Sequence, residues 1–350
     1  MTPPVDVLAA GDPVAAVLAA HRDGRRIAVR TSGTTSRPRA VVRSTASWWD
    51  SFPAVTELSG VDAGARLWLP GPLHSSMNLF AAVHAHVVGA HLVADPAAAT
   101  HGCLTPAALA AVLADGTPVR GLRLVVAGDR LPRALADRAV AAGARVEHYY
   151  GAAELSFLAW GSADDDLRPF PDVRLQVRDG VVWARSPYLS EGYVEDPGHP
   201  DDGAAVPGGA GAPFAVDRGG WATVGDRGVL TDEGHLAVVG RGDLAVLTGG
   251  ATVLVADVEA VLRAAGAGDS VVVGLPHPRL GQLVAAVGTD AAALAAARAT
   301  GLPELSTAQR PRRWFHLDRW PVTATGKVDR SAVATSAAEG RLTRLTGAVR

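Results

Sequence analysis

The sequence predicts an α/β protein: a doubly wound, largely parallel sheet with a small β region behind it, then a small α+β unit. Three observations carry this. Short apolar strand candidates alternate with helical stretches as far as Tyr150, the pattern of a parallel sheet covered by helices. After Pro171 the texture changes to short alternating strands broken by turn signals. From Leu244 onward strands and helices alternate again in one compact run.

The chain up to Ala20 has helical Ala/Val/Leu periodicity, and Arg26 to Arg30 reads as a short buried strand entering a Ser/Thr/Gly loop. A helix is expected from Ser44 to Leu58, a strand from Arg66 to Leu69, and, after Gly71-Pro72, a buried helix from Met77 to Val88. Leu122 to Val126 is a parallel-strand candidate, followed by a helix with Pro132 in its first turn and by a strand from Val146 to Tyr150. Asp179-Gly180 predicts a hairpin turn between Val173–Val177 and Val181–Ala184, and Asp232-Glu233-Gly234 another between two further strands. The last run reads strand, helix (Val255 to Ala265), strand (Ser270 to Gly274), helix (Asp290 to Ala299) and strand (Arg313 to Leu317). A boundary at Arg241 to Asp243 would divide residues 1–241 from 242–350.

At 350 residues, 48% of them hydrophobic, the chain can fill two domain cores. Its 33 basic and 35 acidic side chains give a net charge of -2, so nucleic acid and anionic membrane are poor partners. No apolar run reaches membrane-spanning length, and Met1 to Ala20 lacks a signal-peptide pattern. A single cysteine, Cys103, excludes an internal disulfide framework and any multi-cysteine metal site, which favours a reducing compartment, the cytoplasm by default. One lysine, Lys327, stands among arginines in every other basic position. Such a lone ammonium is expected either where a planar guanidinium cannot substitute for it or as one surface lysine kept by chance.

Four segments carry chemistry. The loop Thr31 to Val42, TSGTTSRPRAVV, lies between a strand and a helix candidate: Gly33 allows close backbone approach, and Thr31, Ser32, Thr34 and Thr35 offer hydroxyls to an anion, with Arg37 and Arg39 beside them. At the end of another strand, YYGAAE supplies an aromatic ring able to stack on a base, and Glu154, able to hold a metal. Downstream, Asp226 suits a ribose diol and Arg241 is a fork donor. Finally PVTATGKVDR places Lys327 after a Thr/Gly turn and ahead of a short helix.

Together these segments resemble the adenylate-forming superfamily of acyl-CoA synthetases, peptide-synthetase adenylation domains and luciferases. Its TSGTTGxPKGV loop, YGxTE, GD before DxxG, GRxD and TxxGKxxR lysine segments occur here in that order. The resemblance implies that Thr31, Ser32, Gly33, Thr34, Thr35 and Arg39 hold ATP phosphates, that Tyr150 with Gly151 packs on adenine, and that Glu154 binds magnesium. It places Asp226 and Arg241 on the ribose, Asp243 at a hinge, Gly249 and Gly250 beside a thiol tunnel, and Lys327 at the α-phosphate and carboxylate. The acyl pocket would lie near His74 and Gly128. Residues 1–241 would then be an abbreviated ATP and acyl domain, and 242–350 a mobile domain carrying the lysine. The implied activity is an ATP- and Mg2+-dependent acid–coenzyme A ligase working through an acyl-adenylate.

The abbreviated N-terminal part is similar to that of compact o-succinylbenzoate–CoA ligases. Ser36, Arg39, Ala40 and Ala153 depart from the family pattern, and Ala153 removes a hydroxyl that would bond the α-phosphate. Two alternatives follow: an enzyme loading a carrier protein's pantetheine arm, and a catalytically impaired nucleotide- or acyl-binding relative. The sequence names neither the acid nor the oligomeric state, and a homodimer is compatible with it. His84, His86 and His91 read as satisfied histidines, Asp164 to Asp166 as a solvated turn, and Cys103 as inert.

Overall fold

The computed structural model describes residues 2–30, 40–194, 214–241, 245–323 and 326–345. The chain divides into two compact units, one running to Val238 and the other starting at Val239.

The first unit is built on a seven-stranded sheet in the order His91–Val93, Arg66–Trp68, His101–Leu104, Arg123–Val126, Arg145–Ala152, Ser156–Gly161, Arg168–Pro169. The first five are parallel and the last two antiparallel. Alternate residues of one strand serve opposite faces: Leu124 and Val126 pack with Leu109, Leu135 and Ala139 of helices Pro106–Ala114 and Arg133–Ala141, while Val125 joins the core that holds Leu79, Phe80 and Val83 of helix Ser76–Val88. Helices therefore cover both faces, as a parallel sheet requires.

Strands Ile27–Arg30 and Ala40–Arg43 pair antiparallel, so the segment after the Thr/Ser/Gly loop begins as a strand. Gly192–Tyr193 pairs with that strand in turn. The expected helix from Ser44 to Leu58 is two helices, Ala46–Trp49 and Phe52–Ser59, because Pro53 stands in the first turn of a new helix rather than inside one. The β region forms a separate six-stranded sheet, with Asp179 and Gly180 both at positive φ in the hairpin turn.

The second unit has a six-stranded sheet containing Ala245–Thr248, Ala251–Leu254, Ser270–His277, Gly281–Gly288, Arg313–His316 and Thr343–Arg344. Helices Val255–Ala264 and Ala291–Ala299 pack with Val272, Val284 and Ala286, and helix Arg330–Ala338 packs with Val271, Val273 and Val287. Among the described residues, no helix is long and apolar enough to cross a membrane.

Candidate active site

Two of the parallel strands end in the segments singled out from sequence. Arg145–Ala152 carries Tyr149 and Tyr150, shifts register between Tyr150 and Gly151, and turns through Ala153, Glu154 and Leu155 into Ser156–Gly161. The turn is so tight that a Cβ on Gly151 would lie 2.1 Å from the Ser156 carbonyl oxygen, which restricts the position to glycine. Leu155, 1% exposed, pins the turn to the core.

This turn brings together residues distant in sequence. The Tyr150 hydroxyl donates to Asp226 Oδ2 at 2.8 Å, joining the residues expected at adenine and ribose. Tyr193, from the strand paired with Ala40–Arg43, donates its hydroxyl to Glu154 Oε1 at 2.9 Å. Glu154 and Asp226 are both buried.

Arg43 is the least expected member. It is 1% exposed, and its Nη2 donates to the Ala153 carbonyl at 2.9 Å, while Nε and Nη1 have no hydrogen-bond partner among the described residues. Burial lowers its pKa to about 10 against the opposing pull of Glu154, and the guanidinium lies 5.7 Å from the centre of the Trp48 ring. A charge removed from water at such cost must be compensated: the Ala153 carbonyl accepts its hydrogen bond, and the Glu154 carboxylate attracts it. In sequence Arg43 looks like a cation at the end of an apolar strand. Tyr193 carries no signal either, since its partner lies 39 positions away.

At the neighbouring strand end, Gly128 has φ +88 and an added Cβ would sit 3.6 Å from Met77 Sδ and 3.6 Å from Thr105 Cγ2. Met77 and Thr105 thus accompany Gly128 at the expected acyl pocket. His74, three residues before Met77, is exposed. In the second unit Gly249 and Gly250, at φ +57 and +84, form a two-residue turn between Ala245–Thr248 and Ala251–Leu254, a geometry that glycine supplies without strain. Lys327 lies next to Val328, whose bridge to Val322 closes a hairpin. Thr31, Ser32, Gly33, Thr34, Thr35, Ser36, Arg39 and Asp243 lie outside the described residues, as does the Arg241 side chain.

Two sequence readings need correction. Asp164 to Asp166 is no solvated turn: Asp164 is buried against Arg130 at 3.2 Å, and Asp166 accepts from Ser162 and meets Arg133 at 3.0 Å. These bonds hold the Asp166 carboxyl down at about 2 despite partial burial. Of the three histidines only His84 is buried and bonded, to Thr56; His86 and His91 are exposed. Cys103 is buried, and desolvation pushes its thiol up to about 12, out of the reactive range.

The AMP-binding enzyme family matches residues 27–194. An uncharacterized acyl–CoA ligase, YhfT of Bacillus subtilis, is 27% identical over 87% of this chain and 67% of its own length. A probable 2-succinylbenzoate–CoA ligase of Mycobacterium tuberculosis is 30% identical over 89% of this chain and 84% of its own. In fold the chain is similar to E. coli MenE with bound OSB-AMS, at a TM-score of 0.70 and 23% identity, covering 91% of this chain and 70% of that one. ATP-bound MatB from Rhodopseudomonas palustris gives 0.69 and 19%, covering 89% and 68%. With the signature spanning Ile27 to Val194 and nearly the whole chain aligned to a relative at 30% identity, this protein belongs to the AMP-binding enzyme family.

Proposed function

We propose that this AMP-binding enzyme is an ATP-dependent carboxylic acid–CoA ligase, forming an acyl-adenylate and pyrophosphate and then passing the acyl group to the thiol of coenzyme A. The observation that carries the reading is the Tyr150–Asp226 hydrogen bond beside the buried Glu154, at the carboxyl end of parallel strands where α/β sheets bind ligands. An aromatic edge, a diol acceptor and a carboxylate are the groups a nucleoside phosphate asks for.

Attack of a carboxylate on the α-phosphorus brings anions together, so the protein's work is positioning and charge neutralisation. Tyr150 and Asp226 would place the nucleoside, and the loop from Thr31 to Thr35, with Arg39, its phosphates. Lys327 would meet the developing charge, Gly249 and Gly250 would flank the thiol path, and Asp243 would be the hinge between half-reactions. Gly128, Met77, Thr105 and His74 would shape the acid's side of the pocket. Magnesium fits Glu154: the ion takes one or two carboxylates and fills its shell with phosphate oxygens and water, and Tyr193 leaves Oε2 of this carboxylate for it. Bound there, it would supply positive charge to the phosphates.

Among relatives, the Mycobacterium protein and other 2-succinylbenzoate–CoA ligases make an aromatic dicarboxylic acid the first substrate to try. The test is pyrophosphate release with a panel of carboxylic acids, with and without coenzyme A. An acid-dependent signal accompanied by coenzyme A consumption is expected. Adenylate formation without thioester would move the acceptor to a carrier protein, and silence with every acid would refute the ligase.

A further inference from the structure

The lysine hairpin is tied to the body of the second unit at both of its roots by polar side chains, of which Arg330 closes the lysine motif and the others belong to none. On the entering side Trp320 is 6% exposed and its Nε1 donates to Asp269 Oδ2 at 2.7 Å. The hairpin closes through the Val322–Val328 bridge and through Asp329 N to the Pro321 carbonyl at 2.8 Å. On the leaving side Asp329 caps helix Arg330–Ala338, its Oδ1 accepting from Ala332 N at 2.9 Å. Arg330 then forks onto Glu259, with Nη1 to Oε1 at 2.5 Å and Nη2 to Oε2 at 3.1 Å. Both members also reach one residue of the sheet: Val272 N donates to Glu259 at 2.7 Å, and Arg330 donates to the Val272 carbonyl at 3.2 Å.

We infer that Glu259 and Arg330 are positioning residues for Lys327, fixing where the hairpin delivers the ammonium; the inference rests on the reading of Lys327 as the adenylation lysine. An ion pair with one buried partner is poor support for stability, because apolar residues of similar volume do as well or better. What it adds is direction. A bidentate guanidinium–carboxylate fork fixes angle as well as distance. Glu259, its side chain 9% exposed on a helix that otherwise buries Val255, Ala256, Val258 and Leu262, is held for a polar task. Lys327 is three residues from Arg330, so tilting the helix start moves the lysine backbone with it.

The test replaces the pair with leucines, Glu259→Leu with Arg330→Leu, and in a milder variant makes Glu259→Gln, which keeps an acceptor for Val272 N. Both, with Lys327→Ala and the parent, are compared in acid-dependent pyrophosphate exchange, in thioester formation from synthetic acyl-adenylate, and in thermal melting. For the leucine pair kcat for exchange should fall about tenfold to a hundredfold, the range a displacement near 1 Å produces, with KM for ATP and acid within about twofold. Thioester formation should stay within about twofold, and Glu259→Gln should show a smaller loss of the same kind. A merely structural pair would lower both half-reactions together or neither. Exchange unchanged in folded pair variants, with Lys327→Ala impaired, overturns the positioning role alone. Exchange unchanged in Lys327→Ala overturns the lysine assignment beneath it. Should the leucine pair unfold, Glu259→Gln decides on the same readings.

Discussion

Acidification should unload a histidine built into the core of the first unit. His84 is 2% exposed on helix Ser76–Val88, its Nε2 is 2.8 Å from Thr56 Oγ1 on helix Phe52–Ser59, and its ring lies 5.1 Å from Phe52 and 6.2 Å from Phe80. Burial lowers its pKa from 6.5 to about 4. The unfolded chain therefore takes up a proton near pH 6.5 that the folded chain refuses until about pH 4, so the stability His84 permits is complete above 6.5 and falls as pH drops between those values. At 1.36 kcal/mol per unit, the loss between pH 7 and 4 is about 3 kcal/mol. In a unit of this size that is roughly 6 to 12 °C in Tm. His84→Phe keeps the ring cluster and cannot titrate, at the cost of one hydrogen bond worth about 1 kcal/mol. The variant should be the less stable protein at pH 7 and the more stable one at pH 4. Urea unfolding of both across that range, followed by tryptophan fluorescence, measures the crossing. Parallel stability curves would refute the reasoning, since His101 and His148, also lowered by burial, titrate equally in both proteins.

Arg43→Met should destabilise the first unit by about 1 to 3 kcal/mol, because it leaves the Ala153 carbonyl without its charged donor, and Glu154→Gln should cost less in that background than alone, because the two side chains attract each other. Chemical denaturation of the two singles and the double closes the cycle; additive losses would show that the two side chains do not compensate each other. Ala153→Thr restores the hydroxyl of the family pattern. It should raise the adenylation rate by about tenfold, the worth of one hydrogen bond to a charged phosphate, in steady-state kinetics with the best acid of the panel. A rise confined to the acid's KM would instead show a pocket rebuilt around alanine.

Strand positions were legible where one residue in two faces a core, as in Arg123–Val126. Gly281–Gly288 escaped notice because its run Leu283 to Val287 is buried on both faces and shows no alternation. Helix Pro106–Ala114 is nearly all Ala, Val and Leu, so it has no polar face for periodicity to find. In the candidate site, Tyr150, Glu154 and Asp226 stood out because each lies in a recognisable segment. Arg43, Tyr193 and Glu259 did not. Their roles are set by partners 110, 39 and 71 positions away, which only the fold brings within reach.

Those partners bear on whether the departures from the family pattern mark decay. The turn that carries Glu154 is held from three sides: Gly151 is pressed on Ser156, Arg43 grips the Ala153 carbonyl, and Tyr193 holds the carboxylate itself. None of these uses the side chain at position 153. If the hydroxyl absent from Ala153 would have met substrate, its loss leaves the scaffold around Glu154 intact. A chain drifting out of catalysis has no reason to keep a fully buried guanidinium with two unbonded nitrogens, because an apolar side chain paired with a neutral residue at 154 would fold at least as well. Cost is retained where a charge is needed, and here the charge it supports is the carboxylate proposed to meet magnesium.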